Sequence, residues 1–198
     1  MYNDSNDYNC IAYNACLLVC NAMGNETHNG TNEMNIFVLD ENPTVAGMSL
    51  CDKHIVKMVI ESAQILCTAM PAARNYQMYC GVTLYKPTHI NHPCTIWAGK
   101  SQENFSWLCS HAKAMAMEYT QRYKRDHKSE RVINAMMVLN DRYRLPSIGL
   151  TPFAQAMPEQ YKDVSAVVAY RNYYIGEKSR FAIWEHSLSP SWWKVETK

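Results

Sequence analysis

Between residues 51 and 69 the chain reads Cys-Asp-Lys-His-Ile-Val-Lys-Met-Val-Ile-Glu-Ser-Ala-Gln-Ile-Leu-Cys-Thr-Ala. Its polar residues His54, Lys57, Glu61, Gln64 and Thr68 recur at intervals of 3, 4, 3 and 4. At ~100° per residue this spacing draws one narrow polar line along an α-helix. Ile55, Val56, Met58, Val59, Ile60, Ala63, Ile65 and Leu66 leave the other faces mostly apolar. An ordinary surface helix has a broader polar face. A helix like this one is surrounded by other elements, so its polar line faces either a cleft or a strip of solvent. On the cleft reading Glu61 is a candidate acid, since perturbed carboxyls gather in such places. On the solvent reading His54, Lys57 and Glu61 only pair locally, at about 0.2–0.5 kcal/mol per pair.

The rest of the chain is built to match. Pro43 can open this helix, with Gly47 weakening the part before residue 51, and Pro71 helps end it. Ser101 can cap a second helix, in which Phe105, Leu108, Ala112, Met115, Tyr119 and Tyr123 recur every three or four residues. Arg122, Lys124 and Arg125 fall near its C-terminus, where positive charge suits the helix dipole. A shorter helix is expected over 129–139. A last one starts near Asp163 or Ser165 and carries Val168, Tyr170, Tyr174, Ile175, Phe181 and Trp184. Strand patterning is thin outside residues 35–39, and there is no internal repeat or heptad array after Met34. Two linkers are long: residues 71–100, punctuated by Pro71, Gly81, Pro87 and Pro93, and residues 140–163, punctuated by Pro146, Gly149, Pro152 and Pro158. Loops of this length inside a compact domain are often functional. The expected fold is mostly α: a single compact helical domain over 34–198, with long ordered loops and a short extended N-terminal segment.

Charge separates the first 33 residues from that domain. The whole chain is formally +1, but residues 1–33 hold Asp4, Asp7, Glu26 and Glu33 with no Lys or Arg, leaving 19 basic against 14 acidic residues beyond them. Eight of these 33 residues are Asn, which favours turns over long regular elements. They are expected to form an acidic, poorly ordered leader. Its apolar run at 11–20 has the length of a signal-peptide core but follows Asp4 and Asp7 instead of positive charge. The stretch 11–23 is interrupted by Asn14 and Asn21, so no membrane span is expected. Cys51, Cys67, Cys80, Cys94 and Cys109 are an odd number without a C-x-x-C pair. They are expected to be reduced thiols of an intracellular protein, in the cytoplasm, or in a host cell if the chain is viral.

Residues 85–94 (Tyr-Lys-Pro-Thr-His-Ile-Asn-His-Pro-Cys) offer His89, His92 and Cys94 as soft metal ligands, but no fourth ligand follows from the spacing. The alternative is a loop whose polar groups, Lys86 and His89 among them, serve binding. There is no Gly-rich phosphate loop and no G-x-S-x-G elbow, and no metal or cofactor is expected. Basic residues are grouped: Arg122, Lys124, Arg125, His127, Lys128 and Arg131 follow the second helix. Arg171 and Lys178 lie two turns apart on the last helix with Tyr174 between them, and Trp192, Trp193 and Lys194 close the chain. Cations beside aromatic rings suit nucleic acid, although clustered Lys and Arg also make ordinary solvated faces.

Leu50-Cys-Asp52-Lys-His54 followed by Glu61 resembles the Leu-x-Asp-x-His…Glu helix of phage-type pyrimidine-dimer DNA glycosylases, the endonuclease V type, with the same His-to-Glu interval. Met157-Pro-Glu-Gln-Tyr161, Glu177-Lys178 and Pro190-Ser-Trp-Trp-Lys194 follow that family's order of a Pro-Glu segment, a Glu-Lys pair and an aromatic tail. In that family the Glu is catalytic and the nucleophile is the α-amine of the first residue, which attacks sugar C1′ and forms an imine. The resemblance implies a DNA glycosylase and AP lyase acting as a monomer on damaged or modified pyrimidines in double-stranded DNA. Glu61 would stabilise the cationic sugar and assist proton transfer. His54, Arg171 and Lys178 would hold phosphates, and Trp192 and Trp193 would contact the distorted duplex. Asn35 would supply the amine in a chain that starts at Met34 and loses that methionine; otherwise Lys53 or Lys57 would stand in. Ile60 and Gln64 depart from the family, which places Arg beside its Glu and one turn after it, and Arg171 sits about a turn early relative to Lys178. Two alternatives remain open: a nucleotide- or modified-base-processing enzyme on the same fold, and a non-catalytic nucleic-acid-binding protein.

Overall fold

Asn42 starts the first regular element: its side-chain oxygen accepts from the amides of Thr44 and Val45, and Pro43 occupies the first helical position. The structure, a computed structural model, describes residues 34–194, so the expectation for the leader 1–33 lies outside the described residues. Among the described residues six α-helices follow in chain order: α1 (Pro43–Met48), α2 (Asp52–Ala69), α3 (Pro93–Lys100), α4 (Gln102–Tyr123), α5 (Glu130–Arg142) and α6 (Ala166–Lys178). The predicted helix over 43–69 is two helices. They part at residues 49–51, where the chain turns and Cys51 lends its backbone N–H to the Tyr174 hydroxyl at 3.1 Å.

α4 is the hub, in contact with α1, α2, α3 and α5. Its N-cap is Ser101, whose hydroxyl accepts from the Asn104 amide at 3.1 Å. α1 lies so close to it that a Cβ on Gly47 would come within 3.0 Å of the His111 carbonyl oxygen. Arg122 locks the far end of α4 to the α1–α2 junction. Its guanidinium is fully buried, ion-paired with Glu118 at 2.8 Å and Asp52 at 2.9 Å, and it donates to the Leu50 and Met48 carbonyls.

The two long linkers are ordered by specific bonds. In the first, a short 3-10 helix (Pro71–Asn75) leads into a two-stranded hairpin, β1 (Met78–Tyr79) with β2 (Val82–Thr83), turned by Cys80 and Gly81 at positive φ. The hairpin and α3 are elements that the Pro-punctuated sequence does not announce. The second linker is stapled to α4: Asn104 exchanges bonds with Thr151, Ser101 donates to the Gly149 carbonyl, and Glu103 accepts from Ser147 and from the Gly149 amide. α6 ends at Lys178, so Phe181 and Trp184 lie beyond it instead of on it. Tyr170 and Tyr174 of α6 are fully buried. Residues 36–39 run through the core as irregular chain, with Phe37 at positive φ and the Leu39 amide donating to the Phe37 carbonyl at 2.8 Å, and Ile36, Val38 and Leu39 are wholly covered. No helix among the described residues is long and apolar enough to cross a membrane.

Candidate active site

The polar line of α2 faces protein for most of its length. His54 and Glu61 are 7% and 8% exposed and Thr68 is buried, while Lys57 reaches out with its side chain 44% exposed. Two irregular segments cover the line. The irregular segment 35–39 lies over His54 and Glu61, and the 85–92 loop lies over its C-terminal end, where the Thr88 amide donates to the Thr68 hydroxyl at 3.2 Å. The line is therefore not a solvated strip, because most of it is covered by the chain itself.

At its centre the Asn35 backbone nitrogen donates to one Glu61 carboxylate oxygen at 3.3 Å, and Lys57 Nζ pairs with the other at 3.0 Å. Asn35 is 2% exposed and is held by its side chain. Its Nδ2 donates to the Ala156 carbonyl at 2.7 Å, and its Oδ1 accepts from the amides of Ile36 and Phe37. The Ala156 segment is held in turn by Tyr170, whose hydroxyl donates to the Ala154 carbonyl at 2.7 Å and accepts from the Ala156 amide at 3.3 Å. A buried tyrosine thus fixes a backbone carbonyl, the carbonyl fixes Asn35, and Asn35 aims its nitrogen at Glu61.

Burial pushes the Glu61 carboxyl above the usual carboxylate range, against the pull of Lys57 and of the Asn35 amide. A carboxyl poised this way can both take and give a proton. His54, seven residues earlier, is stacked on Phe37 with ring centroids 4.7 Å apart, and its Nδ1 hydrogen-bonds with the Tyr174 hydroxyl at 2.8 Å. Burial, then the charges of Lys178, Lys57 and Lys53, lower its pKa to about 3. At neutral pH His54 is therefore an uncharged, positioned ring, and the cations around the site are the lysines.

The other candidate residues lie at graded distance from this centre. His89 contributes positive potential at Glu61, and its Nδ1 is hydrogen-bonded with the Thr88 hydroxyl. Lys86 is exposed on the same loop. Arg171 donates to the Leu39 carbonyl at 2.9 Å and pairs with Asp40 at 3.3 Å, tying α6 to the end of the 35–39 segment. Lys178 donates to the Tyr173 hydroxyl at 3.1 Å. Trp192 and Trp193 are half-buried against Tyr174, with Trp184 beside Trp193, and Lys194 is exposed. His92 accepts from the Cys94 amide as the N-cap of α3, and Cys94 is buried beneath the site. Among the described residues no three His, Cys, Asp or Glu side chains converge as metal ligands.

Three participants escaped the sequence reading. Phe37 has a faint signal, as the one aromatic in the aliphatic run 36–39, and it takes positive φ to stack on His54. Tyr170 was legible only as a core residue of a helix. The Ala156 carbonyl has no sequence signal, because every residue carries a backbone carbonyl.

Comparison with known families matches residues 34–131 to the pyrimidine dimer DNA glycosylase family. The span includes Asn35, the whole α2 line and the 85–92 loop, and ends before α6 and the Trp192–Trp193 tail. No curated protein and no solved structure matches the chain.

Proposed function

We propose that this chain, whose residues 34–131 match the pyrimidine dimer DNA glycosylase family, removes damaged pyrimidines from double-stranded DNA by an amine mechanism assisted by Glu61. The observation that carries the proposal is the pairing of a nitrogen at Asn35 with the buried Glu61 carboxylate, 3.3 Å apart. In a chain whose first residue is Asn35, that nitrogen is a primary amine. It attacks sugar C1′, the bond from C1′ to the pyrimidine nitrogen breaks, and the base leaves with the electron pair and takes up a proton. The attached nitrogen loses one proton, and the C1′–O4′ bond then breaks as O4′ takes up a proton, which opens the sugar ring and leaves a protonated imine at C1′. Glu61 is the group that accepts the proton from nitrogen, returns one to O4′ and offsets the positive charge that develops on the sugar. Loss of a proton from C2′ of the imine then expels the 3′ phosphate, which is the AP lyase step.

A second amine lies equally close. Lys57 Nζ is 3.0 Å from Glu61, and in the 198-residue chain, where the Asn35 nitrogen is an amide, Lys57 takes the nucleophile's place. Borohydride reduction during reaction with a dimer-containing or abasic duplex captures the imine as a stable amine. The expected result is a covalent adduct lost by about 10²–10⁴ in Glu61→Gln, the usual range for a positioned acid–base group. In the full chain, loss of the adduct in Lys57→Gln assigns the amine to Lys57. Duplex binding by a protein that yields no adduct in either form refutes the enzymatic reading and leaves a binding protein.

A further inference from the structure

The basic residues in the last turn of α4 and just after it are unused by the site described above, and they divide sharply by burial. Arg122 is buried in its ion pairs and offers nothing to solvent. Lys124, Arg125, Lys128 and Arg131 are exposed. The turn that carries them is rigid. Lys124 closes α4 in the left-handed conformation, and His127 accepts from the Ser129 amide. His127 Nε2 lies 3.3 Å from the Val56 carbonyl of α2, and the Ser129 hydroxyl is 3.0 Å from that of Tyr85. The turn is therefore anchored to both elements that frame Glu61: the outer side of α2, with exposed Lys53 and Lys57, and the loop bearing exposed Lys86. Three of the nearby acids do not offset it, because Asp52 and Glu118 are paired with Arg122 and Glu130 with Lys113, which leaves exposed Asp126 as the acid within the turn.

We propose that the α4–α5 turn is a docking surface for the phosphate backbone of the DNA duplex beside the target, with Lys124, Arg125 and Lys128 as its contacts. This rests on the DNA reading of the site. The fit is one of charge and rigidity: fixed cations contiguous with a candidate DNA-processing centre meet a polyanion that extends past it. Contacts of this kind carry no sequence information and set the salt dependence of binding.

The test is the affinity of the full chain for undamaged duplex as a function of salt, comparing wild type with Lys124→Ala/Arg125→Ala/Lys128→Ala. Each lost phosphate contact lowers the slope of log K against log salt by ~0.9, so the expected fall is about 2–3. Lys124→Arg/Lys128→Arg keeps the wild-type slope. Adduct yield at saturating duplex and the thermal midpoint stay unchanged, which separates lost docking from lost chemistry or lost fold. An unchanged slope in the triple variant, a wild type that does not bind duplex DNA, or a slope effect seen only with duplex RNA overturns the proposal. A reduced slope in a protein that forms no borohydride adduct keeps the docking surface and refutes the glycosylase reading instead.

Discussion

His111 is the clearest place to test how burial governs this fold. It lies on α4, 0% exposed, its ring stacked on Trp107 at a centroid distance of 5.0 Å and an interplanar angle of 17°. Neither ring nitrogen has a protein partner among the described residues. Burial alone lowers its pKa from 6.5 to about 3. The unfolded chain therefore takes up a proton on this ring below pH 6.5 while the folded chain does not. The stability due to the neutral buried ring is complete above that pH and drains away as pH falls toward 3. At pH 4 the gap spans two and a half decades at ~1.4 kcal/mol each, about 3 kcal/mol. His111→Phe keeps a flat ring on Trp107 and cannot titrate. Its larger ring costs about 1–3 kcal/mol in overpacking at any pH, so the quantity to read is the change in the variant-minus-wild-type difference between pH 7 and pH 4. Urea unfolding at the two pH values should show the variant gaining about 3 kcal/mol on wild type, or about 6–12 °C in thermal midpoint for a domain of this size. His54, with the same lowered value, remains in both proteins and keeps part of the acid sensitivity. Parallel loss of stability in the two proteins would refute the reasoning.

Two other perturbations probe the scaffold and the site. Arg122→Met strands Glu118 and Asp52 and leaves the Leu50 and Met48 carbonyls without their donor, so urea denaturation should record a loss of about 3–5 kcal/mol; a loss below ~1 kcal/mol would mean the network is replaceable. Tyr170→Phe deprives Ala154 of its donor and Ala156 of its acceptor, costing about 1–3 kcal/mol. Because Ala156 anchors Asn35, borohydride trapping in the chain starting at Asn35 should slow about ten- to a hundredfold with duplex affinity unchanged; an unchanged trapping rate removes Tyr170 as a positioning residue.

Where the fold was legible, a period carried the information. The α4 spacing from Phe105 to Tyr123 and the Ser101 cap predicted a helix that the structure places at Gln102–Tyr123. The α2 line predicted the helix observed at Asp52–Ala69. The misses share a cause. α3 is only eight residues long, too short to show a stripe, and is started by Pro93 inside a stretch whose prolines read as loop. The break between α1 and α2 depends on Cys51 meeting Tyr174, a residue 123 positions away, and no local propensity reports such a bond.

The candidate site divides along the same line. His54, Lys57 and Glu61 were visible because they are side chains on one helical face, and a 3.6-residue period puts them together before anything else about the fold is known. The groups that make that face a site arrive from 26 to 121 residues away: the Asn35 nitrogen on Glu61, and the Ala156 carbonyl on Asn35. Both are backbone groups on segments without regular structure, so neither periodicity nor composition marks them. Burial of Glu61 likewise comes from the tertiary structure, and it raises the pKa of the carboxyl even though the Asn35 amide and Lys57 pull it down. Identity of the acid is thus a property of α2, whereas its protonation and its partner nitrogen belong to the tertiary structure. The Tyr170→Phe variant separates the two, because it loosens the segment that holds Asn35 and leaves every residue of the α2 line unchanged.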